Sequence, residues 1–359
     1  MNLHRSERQT RMLLALVLVT SPALAADRVS ELFNRANALA GQRSWDAAAN
    51  QYREVVRLAP TFPEAHYKLG LALQAMGDFD GAVNEFRQAL RLKPEFLEAR
   101  SGLGLALMRG GQMDLAIAEF RDVTKLEPGL AVAHYNLANA LASKGDLDAA
   151  IASFREAIRL RPDFAPAHNN LANTLRSQGK AEEAVVEYRE AMRLSKPQAY
   201  LYFNLANALA DAGKFGEAID QYGQALALEP NDAEIHNNLG VAHTAQGNLD
   251  KAADEYRQAI TLQPDFARAH YNVGLLLDRR GDRNAAMNEY GEAVRLKPDY
   301  AAAHFSMGKA LEKNGRLQDA LAHFRTSWEL DPQNHDSLFE YERMLGASRQ
   351  SVTPETTTH

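Results

Sequence analysis

Six histidines recur along this 359-residue chain at spacings of 34 or 68 residues: His66, His134, His168, His236, His270 and His304. Imidazole is a common zinc ligand and a common general base. If the spacing marks equivalent positions on successive helices, neighbouring rings are separated by the helix packing distance of about 8–10 Å. Zinc needs several nitrogens at about 2.0–2.1 Å, which a line of rings cannot supply. We therefore interpret the histidines as packing residues and predict no metal site.

Other catalytic chemistry has no signature in the sequence. The chain has no cysteine, which removes disulfides, thiolate catalysis and cysteine metal sites. It contains no His-Glu-x-x-His helix, no phosphate-binding glycine loop and no Gly-x-Ser-x-Gly nucleophile motif. Regularly spaced acids such as Glu85, Glu119 and Glu255 are typical of solvated helix faces. We predict a protein that is not an enzyme, with no catalytic residues and no cofactor.

Prolines mark a repeat that organises these residues. They fall at Pro60, Pro94, Pro128, Pro162, Pro197, Pro230, Pro264, Pro298 and Pro332, at intervals of 33 to 35 residues. If this proline is position 32 of each repeat, the six histidines all occupy position 4. Such a period predicts an array of supersecondary units.

Each repeat has the apolar pattern of two helices. Positions 4, 7, 8 and 11 share one helical face, and positions 20, 24 and 27 share a face of a second helix. In the fourth repeat positions 7 to 27 of this pattern are Leu137, Ala138, Leu141, Ala150, Phe154 and Ala157. Small residues at positions 8 and 20 allow close helix approach, and the aromatic ring fills the gap beside them. Glycine at position 15 suits the left-handed end of the first helix.

This pattern resembles the tetratricopeptide repeat family, over about residues 29–334 in nine copies. The resemblance implies an all-α fold, a right-handed superhelical solenoid of antiparallel helix hairpins. It also implies that positions 2, 5, 6, 9, 12 and 13 of the first helices face a concave groove. After Pro332 a tenth first helix starts, but position 8 is Glu342, so we predict a capping helix over 335–346.

Asparagines are concentrated at two of the positions that the resemblance assigns to the groove. Position 6 carries Asn136, Asn170, Asn204, Asn238 and Asn272 in five successive repeats, named here the asparagine ladder. Position 9 adds Asn139, Asn173 and Asn207. Asparagine is a mediocre helix former, but its amide both donates and accepts hydrogen bonds. We predict that these side chains clamp the backbone of an extended peptide. The alternative is that they bond between adjacent repeats.

The ladder resembles the one in the repeats of the O-linked N-acetylglucosamine transferase, although the catalytic domain of that enzyme is absent here. It is interrupted at Lys68, Gly102 and Ser306. Aromatic residues at position 5 could offer flat contacts to a peptide beside it, or could pack against the next repeat. The predicted peptide-binding set therefore includes Tyr135, Phe203 and Tyr271.

The N-terminus has the pattern of an export signal. Arg5, Arg8 and Arg11 precede the apolar run 12–19, which is followed by Ala23-Leu24-Ala25. We predict a signal peptide over 1–25 with cleavage after Ala25, and a periplasmic or secreted protein. An uncleaved membrane anchor is the alternative, although the run is shorter than the roughly 20 residues of a spanning helix.

Charge narrows the class of partner. The net charge is −6, and because the first 25 residues carry +2, the remainder carries −8. This balance disfavours nucleic acid and anionic membranes as partners. We expect a protein or peptide partner, no small-molecule substrate, and no membrane contact after signal cleavage.

The predicted organisation is therefore a signal peptide over 1–25, a nine-repeat solenoid over 26–334, the capping helix and a disordered tail over 347–359. The predicted function is a non-catalytic interaction scaffold. A substrate-capturing subunit of an envelope enzyme, such as a glycosyltransferase, and a membrane-anchored assembly factor are the alternatives.

Overall fold

The structure is a computed structural model that describes residues 22–350, with side chains described for residues 26–346. The predicted signal peptide lies largely, and the predicted tail partly, outside the described residues. The chain divides into two compact units, one running to Thr174 and the other starting at Leu175.

The first unit contains the hairpins of repeats 1 to 4 and most of the first helix of repeat 5. Its helices are α1 (Pro22–Gly41), α2 (Trp45–Leu58), α3 (Pro63–Ala75), α4 (Phe79–Leu92), α5 (Leu97–Arg109), α6 (Met113–Leu126), α7 (Ala131–Lys144), α8 (Leu147–Leu160) and α9 (Ala165–Ser177), within which the division falls. First helices of adjacent repeats touch, α3 with α5 and α5 with α7.

The second unit contains the remaining hairpins and a final single helix. Its helices are α10 (Ala181–Arg193), α11 (Ala199–Asp211), α12 (Phe215–Leu228), α13 (Ala233–Ala245), α14 (Leu249–Leu262), α15 (Ala267–Arg280), α16 (Arg283–Leu296), α17 (Ala301–Lys313), α18 (Leu317–Leu330) and α19 (His335–Gln350). Here too first helices touch, α11 with α13 and α13 with α15. The described residues contain helices and no strands, which confirms the predicted all-α class.

Small residues at position 8 let the two helices of a hairpin approach closely. A Cβ added at Gly70 would lie 2.7 Å from the Phe86 ring, and one added at Gly240 would lie 2.6 Å from the Tyr256 ring. The position-20 alanine Ala82 and the ring of Phe86 are fully buried. A larger residue at position 8 would displace the ring, which typically costs about 1–3 kcal/mol.

The turn inside each hairpin uses a left-handed residue at position 15. Gly145 and Gly281 end their helices with φ of 90° and 85°. The first repeat has Arg43 at this position, and it adopts the same conformation with φ of 58°. A residue with a Cβ pays roughly 1–2 kcal/mol for it. The prediction of glycine as the end of the first helix is confirmed.

The caps of the second helices lie at position 16. The side chains of Asp78 and Asp146 accept hydrogen bonds from the backbone N–H groups of Gly81 and Ala149. The acids at position 18, such as Asp80, lie two residues further along, within the first helical turn. There a carboxylate complements the positive end of the helix dipole.

The last helix, α19, packs on the ninth hairpin. Tyr341 stacks on Trp328 with ring centroids 6.0 Å apart, and Met344 is buried. Glu342 is exposed at the position where other repeats bury a small residue. The helix extends to Gln350, four residues past its predicted end.

Candidate functional site

The position-4 histidines hold the loops between repeats. The Nε2 atoms of His66, His236 and His270 lie 3.0–3.2 Å from the carbonyl oxygen of the preceding position-32 proline. Their Nδ1 atoms lie 2.7 Å from the carboxylates of position-23 glutamates, such as Glu85. Arg100 replaces the histidine in repeat 3 and makes the same two contacts. These contacts make the residues structural, as interpreted from the sequence. Within the described residues no three His, Asp or Glu side chains form a potential metal site.

In the first unit the ladder asparagine Asn170 bonds to the preceding repeat. Its Nδ2 donates to Asn139 Oδ1 at 2.8 Å and to the Tyr135 hydroxyl at 3.1 Å. Its Oδ1 accepts from Asn169 Nδ2 at 3.0 Å. Both amide hydrogens are therefore used inside the fold.

In the second unit Asn207 is the centre of a similar network. Its Oδ1 accepts from the Tyr222 hydroxyl at 2.6 Å and from Asn238 Nδ2 at 3.1 Å. Further along, Asn272 Nδ2 donates to the fully buried Asn237 at 2.8 Å. Burial raises the pKa of Tyr222, so its hydroxyl remains a donor at neutral pH.

The ladder asparagines therefore differ in their free hydrogen-bonding capacity. The side-chain amides of Asn170, Asn238 and Asn272 donate hydrogen bonds to the neighbouring repeat, as the alternative interpretation expects. The amides of Asn136 and Asn204 make no hydrogen bond with any described residue and are partly exposed. The position-9 residue Asn173 is exposed on α9.

The position-5 aromatic residues pack within their own repeats. The rings of Tyr135, Phe203 and Tyr271 lie 5.9–6.1 Å from the position-24 ring of the second helix. Tyr135 also contacts Phe164, at 4.9 Å. Each ring remains partly exposed, so one edge is open to a ligand while the other belongs to the core.

Sequence reasoning missed two members of these networks. Asn169 and Asn237 occupy position 5, where most repeats have an aromatic ring, and each donates to the ladder asparagine that follows it. The available signal was their place beside Asn170 and Asn238 in a pattern that otherwise favours rings.

The first unit has an open groove on the first helices of repeats 2 to 4, named here the N-terminal groove. Its volume is about 920 Å³. It is lined by Tyr67, Leu71, Gln74, Ala75, Phe79, Leu97, Glu98, Ser101, Gly102, Leu105, Arg109, Glu127, Leu130, Val132 and Asn136. Apolar side chains dominate the middle of the groove. Asn136 is the one residue of the predicted peptide-binding set in this lining.

The groove lies where the ladder is interrupted. Position 9 carries Leu71 and Leu105 instead of asparagine, and position 6 of repeat 3 is Gly102, which has no side chain. A Cβ added at Gly102 would lie 2.8 Å from Phe86 Cζ, so the ring occupies that space. An amide pair therefore cannot form between repeats 2 and 3. The interruption of the ladder at Gly102 is visible in the sequence, but by itself it does not predict an open groove.

Polar groups at the edges of the groove lack partners. Glu98, Arg109 and Glu127 form no ion pair with any described residue. Gln74 Oε1 is buried and accepts no hydrogen bond within the described part of the chain. Burial, and then the nearby carboxylate of Glu98, raise the pKa of Tyr67. The groove can therefore accept both apolar side chains and polar groups of a ligand.

In the second unit charged residues on the first helices of adjacent repeats are paired. Lys309 Nζ lies 2.7 Å from Glu340, which repeats the contact between positions 9 and 6 that the asparagines make. Arg176 Nε lies 2.6 Å from Asp211 on the adjacent first helix.

Two family profiles match the chain. The profile described as tetratricopeptide repeat matches residues 67–131, 203–267 and 245–295, and the one described as TPR repeat matches 36–77, 138–175, 172–213 and 279–315. Together they cover most of the chain from residue 36 to 315 and follow the repeat register of the helices. The chain belongs to the tetratricopeptide repeat family.

Three solved structures illustrate the matches of this chain. The Cut9 and Hcn1 hetero-tetramer of APC/C matches with a TM-score of 0.54 and 15% identity, covering 88% of this chain and 76% of that one. YrrB, a TPR protein with an unusual peptide-binding site, matches with a TM-score of 0.44 and 24% identity, covering 51% and 95%. MamA from Desulfovibrio magneticus RS-1 matches with a TM-score of 0.45 and 26% identity, covering 47% and 95%. No curated protein matches the chain significantly.

The tetratricopeptide repeats thus present two kinds of first-helix surface, one closed by polar bonds between repeats and one open. None of the helices within residues 22–350 combines the length and apolar character needed to cross a bilayer.

Proposed function

We propose that this chain is a non-catalytic scaffold that binds an extended segment of a partner protein in the N-terminal groove. Membership of a family of protein-interaction repeats supports the general role. One observation carries the choice of surface: the groove combines an apolar middle with the edge groups Glu98, Arg109 and Glu127, which form no ion pair with any described residue.

The energetics favour binding by a preformed surface. Burying one leucine or phenylalanine side chain of a partner in the groove contributes about 1.5–3 kcal/mol before ordering costs. Because helices α3, α5 and α7 are already packed together, the groove side loses little freedom on binding. Two such side chains contribute about 3–6 kcal/mol and each backbone hydrogen bond about 0.5–1.5 kcal/mol before the cost of association, so we expect weak rather than tight binding.

The asparagines enter this proposal selectively. Asn136 lines the groove and has a free amide, so we assign it to the backbone of the bound segment. In the second unit Asn204 offers the same free group. A peptide contact at Asn170, Asn238 or Asn272 would have to compete with the bonds between repeats or use the remaining acceptor capacity of the amide.

A photocrosslinking experiment tests the choice of surface. Since the chain has no cysteine, Ser101→Cys carries a benzophenone label at a unique place in the groove. Crosslinking in the source organism and mass spectrometry then identify the partner segment. A synthetic peptide of that segment is titrated calorimetrically against purified variants.

Leu105→Arg fills the groove with a charged side chain and should abolish peptide binding. The matched control is Leu115→Arg on α6, where the native leucine is already 49% exposed, and it should bind like the parent. Unchanged affinity of a folded Leu105→Arg protein would refute binding in the groove.

We also propose that the protein is exported and acts in the periplasm or outside the cell. The arginines, the apolar run and the Ala-x-Ala pattern support this proposal. N-terminal sequencing of the protein from an envelope or culture fraction should begin at Ala26. A chain that begins at Met1 and sediments with membranes would contradict cleavage.

A further inference from the structure

The N-terminal groove has charges of opposite sign at its two edges. Glu98 is the second residue of α5 and Arg109 is its last, so eleven residues separate them. At about 1.5 Å per residue this places them about 16 Å apart along the helix. Glu127, which directly follows α6, adds a second carboxylate to the lining.

The middle of the groove between these edges is apolar. Leu105 of α5 and Leu71 of α3 lie between the charged ends, and Val132 of α7 is 41% exposed beside them. The three charged groups form no ion pair with any described residue, so a ligand would meet them without first breaking a bond. An extended chain rises about 3.3 Å per residue, so five or six residues span the distance between the edges.

We propose that the groove selects an extended segment with a basic and an acidic residue five or six positions apart and apolar residues between them. This inference rests on the proposed function and adds the chemistry of the partner. The basic residue faces Glu98 and Glu127, and the acidic residue faces Arg109. The segment then lies along α5, and its apolar side chains pack against Leu71, Leu105 and Val132.

Synthetic heptapeptides test the charge pattern directly. The probe is acetyl-Lys-Ser-Leu-Ser-Leu-Ser-Glu-amide, in which alternation puts both charges and both leucines on one side of the strand. Because the chain direction of the segment is not fixed by the charges, the sequence in reverse order is tested as well. Two further peptides carry lysine at both ends or glutamate at both ends. Binding is read from a fluorophore on Ser101→Cys, with a label on Ala152→Cys of α8 as the control.

One of the two mixed-charge peptides should bind more tightly than either like-charge peptide. An exposed ion pair changes affinity modestly, so we expect roughly two- to ten-fold differences, larger at low salt. Arg109→Glu should reverse the order in favour of the peptide with two lysines. Glu98→Lys combined with Glu127→Lys should favour the peptide with two glutamates.

The outcomes separate this inference from the proposed function. If all four peptides bind equally and Leu105→Arg abolishes binding, the groove is a binding site but charge selection is overturned. If no peptide binds at millimolar concentration, the inference is also overturned, and the crosslinking experiment decides the proposed function on its own. Reversal of peptide preference by the charge-reversal variants supports the inference, because a loss of folding cannot produce it.

Discussion

Two regions use the same repeat positions in opposite ways. In repeats 2 and 3 positions 9 and 24 carry a leucine and a phenylalanine, Leu71 and Phe86 in repeat 2, and Leu71 lines the open groove. In repeat 6 the same positions pair Asn207 with Tyr222 through a 2.6 Å hydrogen bond, and Asn238 of the next repeat joins them. Polar residues at positions 9 and 24 form hydrogen bonds to the adjacent repeat, whereas apolar residues at these positions leave surface for a ligand.

The difference matters because the two pairs are close in size. A leucine with a phenylalanine at positions 9 and 24 needs no hydrogen bond. If only one residue of an asparagine-tyrosine pair is replaced, however, the other keeps a buried polar group without a partner. Such a group costs about 1–3 kcal/mol. The residues at positions 9 and 24 must therefore be replaced together, and the following variants test this coupling.

The largest expected effect on stability comes from removing the hydrogen bonds of Asn207, which is only 8% exposed. Asn207→Leu leaves the Tyr222 hydroxyl and one Asn238 N–H without their acceptor. We expect a loss of about 2–4 kcal/mol in the free energy of unfolding. Urea denaturation followed by circular dichroism measures it.

The matching second substitution sharpens this result. Tyr222→Phe added to Asn207→Leu recreates the pair found in repeats 2 and 3, and the double variant should be more stable than Asn207→Leu alone. Strictly additive losses would show that the hydroxyl and the amide are not coupled in the folded protein.

The second prediction extends polar residues into the open region. Gly102→Asn would complete position 6 of repeat 3, but its Cβ would lie 2.8 Å from Phe86 Cζ. Because Phe86 is fully buried, we expect a destabilisation of about 1–3 kcal/mol and weaker binding in the groove. The control is Gly129→Asn, where an added Cβ meets nothing within 4 Å. Equal stability of the two variants would mean that packing against Phe86 does not exclude asparagine from position 6 of repeat 3.

These two sites also show how far the sequence could be read. The 34-residue register predicted the hairpins, the close contact at Gly240 and the left-handed turn at Gly145, because backbone geometry and volume restrict those positions to few residue types. The register also put the asparagines at equivalent positions of successive first helices, and the family resemblance assigned those positions to the groove. Whether the amides bind a peptide or bond between repeats was left as two alternatives, since an amide can point to a neighbour or to solvent without any change in the sequence pattern.

The N-terminal groove was not predicted because it depends on what is missing. Leucine at position 9 is compatible with a buried contact as well as an open one. Only the three-dimensional structure shows that Leu71 and Leu105 line an open groove. Peptide binding by the ladder residues stays a prediction. At Asn170 and Asn238 a peptide would compete with the hydrogen bonds between repeats.

The third prediction compares two ladder residues of the second unit. Asn238 donates to Asn207, whereas Asn204 has no hydrogen bond with the described residues. Asn238→Ala should therefore cost about 0.5–1.5 kcal/mol, less a few tenths gained from helix propensity. Asn204→Ala should be neutral or slightly stabilising. Thermal melts of both variants decide it, and equal melting temperatures would remove the structural role assigned to the bond.

The smallest expected effect concerns acid stability and compares repeat 9 with repeat 8. In repeat 8 His270 Nδ1 faces the carboxylate of Glu289 at 2.7 Å, whereas in repeat 9 His304 Nδ1 faces His323 Nδ1 at 3.0 Å. Burial lowers the pKa of His304, although the hydrogen bond to the Pro298 carbonyl opposes the shift. Burial and then the neighbouring His304 lower the pKa of His323; a smaller effect of Asp319 opposes this shift, and Arg316 adds to it.

The sign of the pH dependence follows from these directions. An unfolded histidine titrates near pH 6.5, so below that pH the unfolded chain binds more protons than folded repeat 9 does. The contribution of the pair is fully present above about pH 6.5 and is lost as the pH falls through the lowered pKa values. His304 is buried and His323 is partly exposed, and a single pair of rings is one small part of the fold, so we expect a small effect.

His323→Glu gives repeat 9 the acceptor of repeat 8 and should reduce the drop in melting temperature between pH 7.5 and 5.5. The reciprocal change Glu289→His should enlarge that drop. His243, whose pKa is lowered by burial, adds the same background to every variant, so only differences between variants count. If both substitutions leave the pH dependence of the parent unchanged, the contact between the two imidazoles does not contribute to acid sensitivity.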